Sequence, residues 1–224
     1  MRSFREKNKA FDGGCEVSLS THEFGKPTIM SEVIKQQFKE AEQIIPYKEF
    51  VKTTFAWSEG PEADKLDLLH VWGALAGEYI ELKNELDDHK TYKRQGVMPE
   101  ELESQWKKCE KELGDLCYYI YMAANLTDVT LPQVNKLFNS GERKALENFM
   151  DAVKKKIFYK IPDIDLHLPV IDLWNELNFI AEAIFLKPIE YFILQNKEKL
   201  MKRYPLGKFS STDAAEKKDT HNNA

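Results

Sequence analysis

Residues 112–122 read Glu-Leu-Gly-Asp-Leu-Cys-Tyr-Tyr-Ile-Tyr-Met, and this stretch decides the fold. Apolar side chains fall on nearly every side of a helix built from it, which predicts a helix that is buried on more than one side. From Leu113 to Leu126, the only ionisable side chain apart from the tyrosines and Cys117 is Asp115. Because aspartate disfavours helix interiors and a buried charge is costly without compensation, this acid predicts a positive partner.

The rest of the chain is also helical in pattern. In residues 63–90, large apolar side chains recur at alternating steps of three and four, as in the seam of a packed helix. They are Trp72, Leu75, Tyr79, Leu82 and Leu86. Further helices are predicted at 31–57 with a break at Pro46, at 100–126, from Leu131-Pro132 onward, and at 141–160, 169–186 and 188–204. Strand alternation is almost absent, so the predicted fold class is all-α, a multi-helix bundle.

The sequence divides into three parts. We expect residues 1–30 to form a flexible N-terminal arm, residues 31–210 one all-α domain, and residues 211–224 a disordered tail. Within the domain, residues 135–185 are a helical insertion or a partial repeat, because an aspartate opens an apolar helix at Asp172 as it does at Asp115. The other reading is that helices of any bundle share such features.

Composition excludes several classes of protein. The chain has 224 residues with 42% hydrophobic residues and a net charge of −5, which is enough for a real core. It has no basic block that would suit nucleic acid, no apolar stretch long enough for a membrane and no secretory signal. The three cysteines form no Cys-x-x-Cys pair, which favours a cytoplasmic protein with reduced thiols over a disulfide or zinc protein.

Two acidic pairs carry the candidate chemistry. Glu78 and Glu81 lie three residues apart on one helical face, Glu85 extends that face, and Glu112 and Asp115 repeat the spacing on a later helix. Four acids from two packed helices make an oxygen-rich site of the kind that suits Mg²⁺, with Mn²⁺ as a second option. None of the five histidines completes the Glu-x-x-His pair of di-iron bundles. For the first helix alone, a solvated acidic face is an equally good interpretation.

A cationic face follows near the end of the chain. Asn196, Lys199 and Arg203 fall at positions i, i+3 and i+7, so they share one side of a helix. A metal site that acts on a polyphosphate needs such cations to hold the anion. Taken alone, a basic helix end is ordinarily solvated and favourable to the helix dipole.

Together these residues resemble the all-α nucleoside triphosphate pyrophosphohydrolases of the MazG-like type. The family pattern is Glu-x-x-Glu, a spacer, Glu-x-x-Asp, and later Asn-x-x-Lys followed by Arg-Tyr or Arg-Phe. Here it corresponds to Glu78 with Glu81, Glu112 with Asp115, and residues 196–204. The resemblance covers roughly residues 47–131 and 186–214. The chain departs from compact members in the fifty or so residues at 135–185, and Asn135-Lys136 is a rival for the Asn-x-x-Lys position.

The resemblance implies hydrolysis of a (deoxy)nucleoside triphosphate to the monophosphate and pyrophosphate. Glu78, Glu81, Glu112 and Asp115 would hold Mg²⁺, and one of them, or Glu85, would act as general base. The substrate-binding residues implied are Asn196, Lys199, Arg203, Tyr204 and Trp57. Phe55 and Trp72 are further aromatic candidates near the base, but core packing is the favoured interpretation for Trp72 because it lies on the seam. A homodimer or homotetramer is also implied, with no nucleic-acid or membrane partner.

Three other readings stay open. One is a dUTPase-like member of the same superfamily, since some relatives carry two helical halves in one chain. Another is a catalytically inactive relative that acts as a helical interaction protein through residues 135–185 and the termini. The third is a structural bundle whose acids merely face solvent, against which the apolar surroundings of Asp115 argue.

Overall fold

The computed structural model describes residues 29–44, 46–132, 144–161 and 163–216. Within these ranges the chain forms helices and no β-strand, so the predicted all-α class is confirmed. The helices are α1 (Ile29–Ile44), α2 (Tyr47–Thr54), α3 (Ala63–Gln95), α4 (Pro99–Leu126), α5 (Ala145–Ile157), α6 (His167–Ala183), α7 (Ile189–Arg203) and α8 (Ser211–Glu216). In this part of the chain, no helix combines the length and the apolar character that a membrane crossing requires.

Proline and glycine set the breaks between the first helices. Pro46 precedes α2, and its carbonyl accepts the backbone N–H groups of Glu49 and Phe50 at 2.9 Å. Gly96 ends α3 with a positive φ of 67°, a conformation that glycine adopts without steric cost. Pro99 then occupies the first turn of α4, where its missing N–H is not needed. The short turn makes α3 and α4 an antiparallel hairpin.

The two hairpins of the chain form a four-helix core. α3 packs along α4, α5 packs along α6, and the second hairpin covers the first through α3–α5 and α4–α6 contacts. The α4 stretch is buried on several sides as predicted, with Leu113, Leu116 and Ile120 all fully buried. Leu75 and Leu82 of the α3 seam meet this core. The second hairpin thus lies within the segment that the sequence marked as an insertion or partial repeat.

Helix α7 lies against α4 at a close approach permitted by Gly114. A Cβ at Gly114 would lie 3.1 Å from the Phe192 carbonyl oxygen and 3.3 Å from the Asn196 Cβ. Any larger residue would push α7 away, so the glycine fixes the distance between the two helices. Beyond α7 the chain turns back toward α2, where the Phe209 N–H donates to the Thr53 carbonyl at 3.0 Å.

The C-terminal segment differs from the sequence prediction, and several predicted segments lie outside the described residues. Residues 211–216 form the short helix α8, whereas the sequence predicted that the disordered tail begins at residue 211. Ala214 packs on the core, which explains why the polar composition of this segment was misleading. Residues 1–28 of the predicted N-terminal arm, most of the helix predicted after Leu131-Pro132 and the rival pair Asn135-Lys136 lie outside the described residues, and α1 begins at Ile29.

Candidate functional site

Helices α3 and α4 bring three carboxylates together. Glu78, Glu112 and Asp115 each offer an oxygen, and these oxygens all lie within 4.8 Å of one another. Their side chains line a cavity of about 380 Å³. Glu81 lines the same cavity but stands outside the group of three, and its side chain is exposed. The spacing of three residues on each helix brings both acidic pairs to one cavity, but only three of the four acids form the group, whereas the sequence predicted all four.

The carboxyl groups of the cluster oppose one another's ionisation. Burial first, then the neighbouring charges of Asp115, Glu112 and Glu81, raise the pKa of Glu78 from 4.5 to about 8. Glu112 is only 6% exposed, and within the described part of the chain no N–H or hydroxyl group donates to its Oε2 atom, although the Glu78 carboxyl hydrogen bonds with Glu112 when it holds a proton. A buried carboxylate oxygen without a donor costs free energy unless a cation meets it.

These observations fit a divalent cation. The ligand atoms are all carboxylate oxygens, which hard cations such as Mg²⁺ and Mn²⁺ prefer. Lysines partly compensate the charge: Lys111 Nζ lies 3.1 Å from Glu112 Oε1 and 4.0 Å from Asp115 Oδ2, and Lys199 Nζ also pairs with Asp115. The orphaned Oε2 of Glu112 remains the atom that a metal would satisfy.

Asp115 is held in place by a chain of buried hydrogen bonds. The Asn196 Nδ2 donates to Asp115 Oδ1 at 2.6 Å, and the Tyr47 hydroxyl donates to Asn196 Oδ1 at 2.7 Å. Tyr47 is fully buried. Because its Oδ1 accepts from Tyr47, Asn196 must present its amide nitrogen to the carboxylate, which fixes the direction of the contact. Asn196 thus supports a candidate ligand, although the sequence analysis assigned it to the substrate.

The cationic face of α7 reaches this cavity despite the intervening residues 135–185. Lys199 and Arg203 both line it, and Tyr204 lies beside them. The close packing of α7 on α4 at Gly114 brings them there. The predicted positions of Asn196, Lys199, Arg203 and Tyr204 therefore converge with the acids.

The remaining wall of the cavity is aromatic. The His70 ring stacks on Phe55, with centroids 4.8 Å apart and 30° between the ring planes. Burial raises the pKa values of the Tyr118 and Tyr119 phenols, so both stay neutral at ordinary pH. This wall is made of Phe55, His70, Tyr118, Tyr119, Tyr204 and Phe209. Sequence analysis assigned no role to His70, Tyr118, Tyr119 or Phe209, and the signal for His70 was its place about two helical turns before Glu78.

Two sequence expectations, Glu85 and Trp57, do not match this geometry, whereas Trp72 packs against the core as its seam position favoured. Glu85 does not line the cavity, because its carboxylate accepts the Gln105 side-chain amide, and it stands about 10 Å along α3 from Glu78. Trp57 faces a different cavity and donates its indole N–H to the Lys52 carbonyl at 2.7 Å. Trp72 points toward α5 and donates to the Met150 carbonyl at 3.2 Å. Of the three aromatic residues suggested near the base, only Phe55 lines the site.

Comparison with protein-family models, with curated proteins and with solved structures finds no match to this chain. The candidate site therefore rests on the geometry of the described residues. Its three parts are the carboxylate cluster of α3 and α4, the cations of α7 and Lys111, and the aromatic wall.

Proposed function

We propose that the protein hydrolyses (deoxy)nucleoside triphosphates to the monophosphate and pyrophosphate in a reaction that depends on Mg²⁺ or Mn²⁺. The observation that carries the proposal is the convergence of Glu78, Glu112 and Asp115 with Lys199 and Arg203 on one cavity. Acids without cations would suit a metal store, and cations without acids would suit simple anion binding. Both together suit a metal-assisted reaction on a phosphate chain.

Glu78, Glu112 and Asp115 would hold the metal, with Glu81 at the rim of the cavity. When bound, the cation would offset phosphate charge and lower the pKa of a water molecule. Lys199 and Arg203 bind the β- and γ-phosphates and stabilise the departing pyrophosphate. Asn196 keeps Asp115 oriented, supported in turn by Tyr47. A structural role for the four acids alone would leave this convergence without explanation.

We assign Glu81 to orienting the attacking water. It is exposed and lines the cavity outside the group of three, so it is free to accept a proton, whereas Glu85 is held by Gln105. A new bond forms between the water oxygen and the α-phosphorus, and the bond from that phosphorus to the bridging oxygen of pyrophosphate breaks. The proton of the water passes to the Glu81 carboxylate.

The aromatic wall offers a place for the base. A nucleobase can stack on any aromatic face, and the exposed His70 ring, backed by buried Phe55, presents one at the mouth of the cavity. His70, Tyr119 and Tyr204 also supply polar atoms that distinguish one base from another. This arrangement fits a nucleotide better than an inorganic polyphosphate.

A dUTPase-like activity of the same superfamily is the second candidate. The observation that favours it is the packing of the α5–α6 hairpin on the α3–α4 hairpin within one chain, as expected for a relative with two helical halves. A homodimer or homotetramer remains a prediction from the family resemblance. Turnover of dUTP alone among the nucleotides would support the dUTPase-like reading.

The test is a panel of NTPs and dNTPs with Mg²⁺ or Mn²⁺, followed by pyrophosphate release. Asp115→Asn is compared with Asp172→Asn, which changes the exposed aspartate at the corresponding position of α6. We expect turnover that EDTA abolishes, that Asp115→Asn loses, and that Asp172→Asn keeps. Absence of turnover with every nucleotide, or equal activity of both variants, would overturn the proposal, and release of orthophosphate would change the reaction class.

A further inference from the structure

The candidate site has a second opening, on the side away from the aromatic wall. A cavity of about 460 Å³ lies between α4 and α7, and four lysines border it: Lys107, Lys111, Lys199 and Lys202. We call this the lysine groove. Lys111, Asn196 and Lys199 border both the groove and the carboxylate cavity, so the two spaces meet at these residues.

The groove has an excess of positive charge. Two acids also border it, Glu110 and Glu198. Glu110 is already neutralised, because Lys187 Nζ lies 2.6 Å from its Oε1 and the Tyr191 hydroxyl donates to its Oε2 at 3.1 Å. Glu198 is exposed, and solvent screens its charge strongly. Glu198 is therefore a weak counterion for the outer lysines, Lys107 and Lys202, whereas the inner lysines, Lys111 and Lys199, pair with Glu112 and Asp115.

The outer lysines are available to a ligand. Lys107 pairs with Glu103 at 2.8 Å, but both side chains are about 70% exposed, and such pairs contribute little. Lys202 is exposed one turn beyond Lys199 on α7. At the inner end, Lys111 and Lys199 contact Glu112 and Asp115, where the negative cluster begins. The sign of the charge thus changes within the length of a few side chains.

We propose that the lysine groove binds the distal end of a linear polyphosphate chain of three or more phosphates. The assignment of chain direction rests on the proposed function: the base lies at the aromatic wall and the cleaved bond at the carboxylates. The β-phosphate then lies beside Arg203 and Lys199 in the carboxylate cavity, and the terminal phosphate lies beside Lys199 in the groove between α4 and α7. Lys107, Lys111 and Lys202 are then phosphate ligands that none of the acidic or Asn-x-x-Lys motifs includes. The groove favours triphosphates and longer chains over diphosphates, because a shorter chain ends before the outer lysines.

The test measures binding of inorganic tripolyphosphate to the full chain by isothermal titration calorimetry at two salt concentrations. The double variant Lys107→Gln/Lys202→Gln is compared with Lys90→Gln/Lys155→Gln. The control removes the same charge from two lysines that sit in exposed ion pairs away from the groove, with Asp87 and Asp151. Circular dichroism checks that both variants fold as the wild type does.

We expect the groove variant to weaken tripolyphosphate binding about tenfold or more and to flatten its salt dependence, since each lost contact is a charge-assisted hydrogen bond. The control should bind within about twofold of the wild type, because it keeps every groove contact. Equal weakening of tripolyphosphate binding in both variants, or no weakening in either, would overturn the proposal that the lysine groove binds polyphosphate. Groove-dependent binding without turnover of any nucleotide would reject the proposed function and leave the groove standing. Turnover of nucleotides without groove-dependent binding would reject the groove and leave the proposed function standing.

Discussion

Two glutamates on neighbouring helices show how a buried acid acquires a role. Glu112 on α4 is 6% exposed and Glu176 on α6 is 7% exposed, and both lie in apolar helices. The two oxygens of Glu176 each have a donor: the Tyr79 hydroxyl at 3.2 Å and the Ala145 N–H at the start of α5, also at 3.2 Å. No N–H or hydroxyl group among the described residues donates to the Oε2 of Glu112. Glu176 therefore joins the hairpins, whereas Glu112 lies in the carboxylate cluster with Glu78 and Asp115.

The same contrast separates the two hairpins. In the first, Asp115 is largely buried and receives hydrogen bonds from Asn196 and Lys199. In the second, Asp172 occupies the corresponding position and is exposed. Within the described residues, the cluster of three carboxylates occurs only between α3 and α4. A second hairpin with an aspartate in a similar place thus does not bring a second site, because the site depends on which acids converge on one cavity.

The sharpest test of this comparison is Glu112→Gln beside Glu176→Gln. For Glu112→Gln we expect kcat/KM for nucleotide hydrolysis to fall at least about 100-fold, the upper end of the effect of outer-shell changes at metal sites. Its free energy of unfolding without metal should hold or rise, because a poorly compensated buried charge is removed. For Glu176→Gln we expect the reverse, with unfolding easier by about 1–3 kcal/mol and turnover largely kept.

Urea denaturation without metal and steady-state pyrophosphate release measure the two effects. The comparison fails if Glu176→Gln loses as much activity as Glu112→Gln while remaining folded. It also fails if Glu112→Gln destabilises the metal-free protein as much as Glu176→Gln does, since Glu112 would then be a structural acid.

The second test removes the donors that support each acid. Tyr47→Phe deletes the hydroxyl that holds Asn196 against Asp115, and Tyr79→Phe deletes a donor to Glu176. We expect Tyr47→Phe to raise the Mg²⁺ concentration for half-maximal activity about tenfold, because outer-shell partners contribute about 10- to 100-fold to metal sites. Tyr79→Phe should leave that concentration unchanged. Magnesium titrations of activity compare them, and a matching shift in both variants would remove the special role of Tyr47.

The third test concerns the glycine that sets the distance between α4 and α7. Gly114→Ala places a Cβ against the Phe192 carbonyl, so we expect the free energy of unfolding to fall by about 1–3 kcal/mol. Gly73→Ala is the control, because a Cβ there meets no atom within 4 Å. It should stabilise α3 by about 0.5–1 kcal/mol. Chemical denaturation measures both, and equal stabilisation by the two changes would mean that α7 does not depend on this contact.

The sequence predicted what local patterns determine. Helical periodicity and the break at Pro46 predicted the all-α fold and the helices at 63–90 and 100–126 that correspond to α3 and α4, since these depend on neighbours in the chain. The three-residue spacings put Glu78, Glu112 and Asp115 in one group. Glu85 and Trp57 were misassigned because their partners, Gln105 and the Lys52 carbonyl, appear only in the folded chain. Asp115 stood out in the sequence as a lone acid in an apolar stretch. No local pattern of this kind marks which residue Glu85 or Trp57 contacts in the folded chain.

The smallest expected effect is a change in how stability depends on pH. This effect separates Glu78 in the first hairpin from Glu176 in the second. The pKa of Glu78 is raised from 4.5 to about 8, mainly by burial and then by Asp115 and Glu112. Between these values the folded protein holds a proton that the unfolded chain releases, so the stability of the metal-free protein falls as the pH rises. Below pH 4.5 the contribution is constant, and above about pH 8 its loss is complete.

Glu78→Gln has no carboxyl to titrate, so its melting temperature with EDTA should fall less between pH 5 and pH 8 than that of the wild type. Glu176→Gln should keep the wild-type slope, because Glu78 is intact in that variant and Glu176 lies in the other hairpin. The measurement is a series of thermal melts in EDTA across this pH range. If the melting temperature of Glu78→Gln depends on pH as that of the wild type does, the pKa of Glu78 is not raised in the metal-free protein. The three carboxyl groups then do not oppose one another's ionisation. The contrast between Glu112 and Glu176 would then reflect hydrogen bonding alone.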